Sequence, residues 1–326
     1  MTIPREESLI TAFILDGKGG GKKINWESVN KWTPDQGILW VHLNYEAKRT
    51  KQWFKKSSGL DRIAVSAMLA EESRPRCVVS PQGLLLFLRG VNLNPGQEPE
   101  DMVSIRIWID QQRIITTRRR KLLPVQDICS LLETGNGPKT TTEFVLMLND
   151  SLLHRIVEVM DDLDEQVAQL EEQVMVSESH LLRPKISDIR RQVVLIRRYL
   201  APQREALYRL QVEETPLLNR SDQLHIREAT DRIIKCIEDL DAARDRAAIV
   251  QEELASRLSE HMDKRMYLLS LVAVIFLPLS FLTGLLGINV GGIPGANDQW
   301  GFSIVCLILA IIILLMFLVF RYKKWL

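Results

Sequence analysis

Two long stretches without a charged residue, both near the C-terminus, constrain this chain more than any other feature. The first runs from Met266 to Asn297 and the second from Gly301 to Phe320. Because a helix needs about 20 apolar residues to cross roughly 30 Å of hydrocarbon, we expect Met266–Leu286 and Phe302–Phe320 to span a membrane. The Gly- and Pro-rich segment 287–301 should form the loop between them. A buried hairpin in a soluble protein is the alternative, which the span length disfavours.

The charges that flank these stretches predict how the hairpin lies in the membrane. Positive residues mark the cytoplasmic side, so the loop 287–301 should be external and both termini, including the tail 321–326, cytoplasmic. The N-terminus has no apolar signal run, and the four cysteines form no Cys-x-x-Cys pair, so we expect the rest of the chain to lie in a reducing cytoplasm. The flanking positive residues, none of which lies in the loop, are Lys264, Arg265, Arg321, Lys323 and Lys324.

Residues 1–140 mix short apolar runs with turn signals, a pattern typical of an α/β domain. The sequence Gly135–Pro138 marks its end. The net charge of +1 gives no global field that would attract nucleic acid. Strands are expected at Ala12–Leu15, Ile38–Leu43, Leu84–Arg89, Val103–Ile109 and Ile114–Thr117, and helices at Ala47–Lys56, Asp61–Glu71 and Pro124–Glu133.

The pattern becomes helical after this domain. Residues 141–218 should form a hairpin of two helices, Thr142–Val176 and Lys185–Glu213, and residues 219–265 a stalk helix that continues into the first span. The first hairpin helix is acidic and the second basic. Complementary antiparallel faces are the simpler interpretation, and an acidic surface that gathers cations is the other.

The stalk carries an apolar stripe that passes into the first span, and we expect it to mediate self-association. Its residues are Ile226, Ala229, Ile233, Ile237, Leu240, Ala243, Ala247, Val250, Leu254, Leu258, Met262, Met266 and Leu269.

The first span is the better candidate for lining an ion path. Two helices cannot enclose water, so a pore requires several copies around an axis. A stripe at three- and four-residue spacing carries no acid, Lys or Arg, so an ion would meet only neutral dipoles. A helix-packing face in a simple membrane anchor is the alternative. The candidate pore residues are Met266, Leu269, Ala273, Leu277, Ser280, Thr283, Gly284, Gly287, Ile288 and Asn289.

The end of this span resembles the first membrane helix of CorA-type metal-ion transporters. The resemblance rests on Phe276–Asn289, which ends in Gly-Ile-Asn where the family has Gly-Met-Asn, on Gln299–Phe302 and on Lys323–Leu326. The order of α/β domain, helical hairpin, stalk and two spans also matches. Ile288 and the loop without acidic residues at 290–295 are similar to the zinc-transporting ZntB branch, as is Arg197–Arg204.

The resemblance implies a CorA-like funnel, a homopentamer in the bacterial inner membrane that takes up Zn²⁺ together with protons. Zn²⁺ would be the transported ion, with no permanently bound cofactor, and the partners would be further copies, the lipid bilayer, divalent cations and protons. By position, Gly287, Ile288 and Asn289 would form the outer selectivity ring. Ser280, Gly284, Leu277, Leu269 and Met266 would line the pore.

Four stalk residues are weaker candidates for cytosolic metal binding. Glu228 and Asp231 align with the region where some relatives bind a regulatory ion, and His225 and His261 could act as ligands or proton carriers if an oligomer gathers them. Zinc prefers His and Cys, yet the five histidines form no close pair in sequence. A Mg²⁺/Co²⁺ or broad divalent channel, and a membrane-anchored scaffold without transport, therefore stay open as alternatives.

Overall fold

A computed structural model describes residues 8–71, 74–176, 181–288 and 299–323. The chain divides into two compact units, residues 1–251 and residues 252–326.

The first unit is built on a seven-stranded sheet with the order β2-β1-β3-β7-β6-β5-β4. The pair β3–β7 is parallel, and the other neighbouring pairs are antiparallel. The strands are β1 Leu9–Leu15, β2 Gly21–Lys23, β3 Ile38–Asn44, β4 Arg76–Ser80, β5 Gly83–Gly90, β6 Val103–Ile109 and β7 Arg113–Arg118.

Helices cover both faces of this sheet, because side chains of the buried strands alternate between two apolar layers. Along β3, Leu39, Val41 and Leu43 pack in a cluster with three short helices, α1 Trp26–Lys31, α2 Lys48–Lys56 and α3 Arg62–Leu69. Trp40 points to the opposite layer, where its ring lies 4.8 Å from that of Phe144. The opposite layer is formed by α4 Leu123–Thr134, α5 Thr141–Val176 and α6 Leu182–Val212.

The five expected strands and the expected helices of this domain are confirmed, with ends that differ by a few residues. The α/β fold class is confirmed with them. Two strands and one α-helix were missed, namely β2, β4 and α1. Each is short, with three, five and six residues, so periodicity over so few residues gives a weak signal.

One helix, α7, runs from Arg220 to Leu286 over 67 residues. Its start is a reciprocal cap, since the Asp222 amide donates to Asn219 Oδ1 and the Asn219 amide donates to Asp222 Oδ2, both at 3.0 Å. The expected start near residue 219 and the continuation into the first span are confirmed. A last helix, α8, spans Gly301–Tyr322.

Ion pairs define the directions of α5, α6 and α7. Arg232 pairs with Asp150 and Arg246 pairs with Asp164, and both pairs are 82 positions apart, so α5 and α7 run parallel. Arg190 bonds to Gln251 near the end of the first unit. Arg197 bonds to Asp241, ten positions earlier on α7, so α6 runs antiparallel to it.

The structure does not show the expected direct charge pairing between α5 and α6. Among the described residues no ion pair joins these two helices. The acids of α5 instead contact arginines of α7, and Arg197 of α6 contacts an acid of α7. Helix α7 thus supplies the countercharges that the sequence pattern had led us to expect between α5 and α6.

The expectation that the whole α7 stripe mediates self-association is wrong for residues 226–250. Ile226, Ile233, Leu240 and Val250 are 0–4% exposed within a single chain. The ion pairs place this part of α7 against α5 and α6, so the stripe is buried by the chain's own helices.

Candidate ion pathway on the first membrane helix

Two of the described helices are long and apolar enough to cross a membrane: α7, through its C-terminal part, and α8. Within the second unit, each of these two helices has one stripe of half-buried residues. On α7 the stripe comprises Leu271, Ile275, Pro278, Leu279 and Leu282. On α8 it comprises Gly301, Val305, Leu309, Ile312, Met316 and Phe320, again at three- and four-residue spacing. These two faces are the ones on which helices of a hairpin pack.

The candidate pore stripe lies on the other side of α7. At about 100° per residue, Ile275 lies about 180° from both Met266 and Gly284, because it is nine positions from each. Met266, Leu269 and Leu277 are 58%, 64% and 72% exposed, and Ala273, Ser280 and Gly284 are exposed as well. Nothing in a single chain covers this face among the described residues.

The outer end of the stripe is small and polar. The Thr283 hydroxyl lies 3.0 Å from the Leu279 carbonyl oxygen and 3.1 Å from that of Ser280, so it bonds back to its own helix. The Gly287 amide donates to the Thr283 carbonyl at 3.0 Å and ends the helix. A Cβ at Gly284 would meet no atom within 4 Å, so this position offers open backbone.

The structure places Gly287 and Ile288 at the end of this helix, both exposed. Asn289, the centre of the expected selectivity ring, lies outside the described residues, as does the rest of the loop through residue 298. The role of all three in selecting an ion stays a prediction.

The four cytosolic candidates are not brought together within one chain. His225, Glu228 and Asp231 are exposed on α7, and His261 lies 36 positions from His225 on the same helix, or about 54 Å at 1.5 Å per residue. Among the described residues no three His, Cys, Asp or Glu side chains are close enough to hold a metal ion.

Sequence reasoning missed the residues that hold the N-terminal part of α7. Arg246 Nε and Nη2 donate to the two carboxylate oxygens of Glu171 at 2.9 and 2.7 Å, and Arg246 Nη1 donates to Asp164. This fork holds the pKa of Glu171 below its usual range, since the bonds favour the charged carboxylate. The available signal was the constant separation of 82 positions between Asp150 and Arg232 and between Asp164 and Arg246.

Comparison with known proteins identifies the family. The model of the CorA-like Mg²⁺ transporter proteins matches residues 35–324. The chain belongs to this family. The earlier resemblance to CorA-type transporters is therefore confirmed, and the protein is a metal-ion transporter with two membrane helices, not an enzyme.

Relatives of the same length support this placement. The chain is similar to the divalent cation transporter CmaX of Pseudomonas aeruginosa, with 39% identity over 98% of both chains. It is also similar to the zinc transport protein ZntB of Yersinia pseudotuberculosis, with 32% identity over 97% of this chain and 96% of the relative. The structure of full-length CmaX superposes with a TM-score of 0.85 at 36% identity, covering 99% of this chain and all of that one. The CorA-like fold expected from the sequence is thus confirmed.

Proposed function

We propose that this protein takes up Zn²⁺ across the bacterial inner membrane, together with protons, through a pore that several identical chains form around one axis. Membership in the CorA family and the similarity to ZntB support metal transport and zinc as the ion. By analogy with the family, we propose a pentamer with both termini in the cytoplasm, in agreement with the positive residues that flank the two spans.

One structural observation carries the pore assignment. The uncharged stripe from Met266 to Gly284 is exposed, while the opposite face of α7, around Ile275, is half-buried. If that half-buried face packs on α8, a ring of chains that directs the stripe inward leaves α8 on the lipid side. In such a ring the stripe, which is exposed in a single chain, would face the stripes of the other chains.

The chemistry of the stripe favours passage of an ion that keeps much of its water. Removing the hydration shell of a divalent cation in an uncharged pore is costly. Backbone carbonyls near Gly287 and the amide oxygen of Asn289 would supply neutral oxygen ligands at the outer end. Leu277, Leu269 and Met266 would form an apolar constriction that dewetting can close.

A broader divalent selectivity is the second candidate. The observation that favours it is the similarity to CmaX, which is named a divalent cation transporter. The pore stripe itself has no His or Cys that would select zinc by ligand type. A regulatory ion at Glu228 and Asp231 would need further ligands from a neighbouring copy, because the described residues of one chain do not complete a site there.

Flux measurements test these proposals directly. Purified protein in liposomes that contain a zinc-sensitive dye should show Zn²⁺ entry, and an inward proton gradient should accelerate it. Folded, oligomeric protein without zinc flux under either condition would refute zinc transport. Inhibition by millimolar Mg²⁺ would indicate the broader channel.

A pair of variants separates a pore from a membrane anchor. Asn289→Ala should abolish flux and leave the oligomer intact, whereas Val274→Ala, a truncation off the stripe, should leave flux unchanged. An anchor predicts instead that Asn289 and Ser280 can both be replaced without consequence.

A further inference from the structure

The cytoplasmic unit contains a polar cavity of about 370 Å³ that the transport function does not use. It lies at the carboxyl ends of the only parallel strand pair among the described strands, since Tyr45 directly follows β3 and Arg119 and Arg120 directly follow β7. The β5–β6 loop and α6 close its sides. In α/β sheets, ligands bind in the crevice outside the carboxyl ends of parallel strands.

Four arginines line this cavity, Arg89, Arg119, Arg120 and Arg198, and they outnumber its three acids, Glu71, Glu100 and Asp101. Arg119 pairs with Glu46 at 3.0 Å, and Arg120 lies only within 4.0 Å of Asp101. Arg198 is exposed, and its guanidinium carbon lies 5.6 Å from the centre of the Tyr199 ring. Guanidinium groups bind phosphate through two parallel hydrogen bonds, so this lining suits a phosphate group.

The cavity also contains a buried carboxylate with unused hydrogen-bond capacity. Glu100 is 2% exposed, and neither of its oxygens accepts a hydrogen bond from any described residue. Arg191 Nη2 lies 3.2 Å from Oε1, which supplies a countercharge without hydrogen-bond geometry. A buried carboxylate in this state is costly, because both oxygens lose the bonds that water would give them.

We propose that this cavity binds a mononucleotide. The phosphate lies against Arg120 and Arg198, and an N–H edge of the base donates to the carboxylate of Glu100. The volume exceeds what inorganic phosphate needs and lies within the range of small-molecule pockets. A metal ion is disfavoured, because four arginines surround the site and no three metal-ligating side chains come together in the described residues.

Isothermal titration of the full-length protein in detergent tests the proposal, with guanosine monophosphate and inorganic phosphate as probes. Guanine presents two neighbouring N–H donors that one carboxylate can accept, and inorganic phosphate has no such pair of N–H donors. We expect the nucleotide to bind at least about tenfold more tightly than phosphate, because hydrogen bonds to a charged group are worth that much or more.

Two variants and one control separate the contacts. Glu100→Gln should weaken the nucleotide about tenfold or more and should not weaken phosphate, since the substitution removes a negative charge from the cavity wall. Arg198→Ala, on the exposed rim, should weaken both probes, while Arg183→Ala, an exposed arginine of α6 outside the cavity, should weaken neither. Thermal melts verify that each variant is folded.

Three results would overturn the proposal. One is the absence of binding for both probes at millimolar concentration. Another is equal affinity for nucleotide and phosphate, which would leave Glu100 without a role. The third is nucleotide binding that Arg183→Ala weakens as much as Arg198→Ala does, which would indicate general attraction to a basic surface.

Discussion

Truncation of Ile233 tests whether the α7 stripe is packed inside the chain or between chains. Ile233 is 0% exposed, whereas Ile249 on the same helix is 66% exposed. Ile233→Ala removes three buried carbon atoms, which corresponds to about 2.4 kcal/mol of transfer free energy at about 0.8 kcal/mol per methylene. The cavity left behind adds about 1 kcal/mol or more, so we expect a loss of about 3–4 kcal/mol in the free energy of unfolding.

Urea unfolding followed by tryptophan fluorescence measures this loss. Five of the seven tryptophans lie between residues 26 and 108, so the signal reports on the sheet domain. With a urea dependence of about 3 kcal/mol per molar, the midpoint should fall by on the order of 1 M. Ile249→Ala, the matched control, should shift it by less than about 0.2 M, because little area is lost at an exposed position.

The reasoning is refuted if the two variants shift the midpoint equally. It is also refuted if Ile233→Ala leaves the midpoint unchanged but dissociates the oligomer, since the stripe would then be the seam between chains that the sequence pattern first indicated. Size-exclusion chromatography with light scattering provides the oligomer measurement.

Three further predictions concern the pore face, the α5–α7 contact and a buried histidine. In a variant without the native cysteines, Ser280→Cys should react with a water-soluble thiol reagent, whereas Val274→Cys should not, and equal reactivity would contradict the pore assignment. Arg246→Met should reduce the stability of the first unit by about 1 kcal/mol at pH 7, the magnitude of a partly exposed ion-pair network. The pKa of Glu171 is lowered in the folded state, so the stabilisation is fully present above the ordinary pKa of 4.5 and is lost as the pH falls through the lower folded pKa. The unfolding midpoints of the variant and the parent should therefore converge in acid. Burial lowers the pKa of His42 from 6.5 to about 3. As the pH drops between these two values, the free energy of unfolding should therefore fall by up to about 1.4 kcal/mol per pH unit. His42→Gln should remove this part of the pH dependence in a series of urea titrations.

Sequence periodicity predicted the long elements well. Strand Val103–Ile109 has the expected bounds, and α7 begins within one residue of the expected region and continues into the membrane. These elements are long and their apolar residues repeat regularly, so the local signal is strong. The short edge strands β2 and β4 were missed although each pairs with the strand next to it in the sequence, because most of their residues are partly or fully exposed and show no clear apolar alternation.

The candidate site was predictable to a similar degree. The uncharged stripe from Met266 to Gly284 followed from spacing alone, and the structure adds that it lies opposite the half-buried face around Ile275. The cavity around Glu100 was not predictable. Tyr45, Glu100, Arg120 and Arg198 are far apart in the sequence and meet only because β3, β7 and α6 end or pass at one edge of the sheet.

The sequence by itself determined that this chain has two membrane helices, that the first carries a neutral stripe, and that this first span continues a long helix that begins near residue 219. Each of these features depends on the hydrophobicity and spacing of neighbouring residues, which a linear sequence contains completely. Only the tertiary structure decided which face of α7 is already covered. An apolar stripe specifies that a surface must be buried but not which partner buries it. Here α5 and α6 of the same chain bury the stripe as far as Val250, while the stripe from Met266 onward stays exposed.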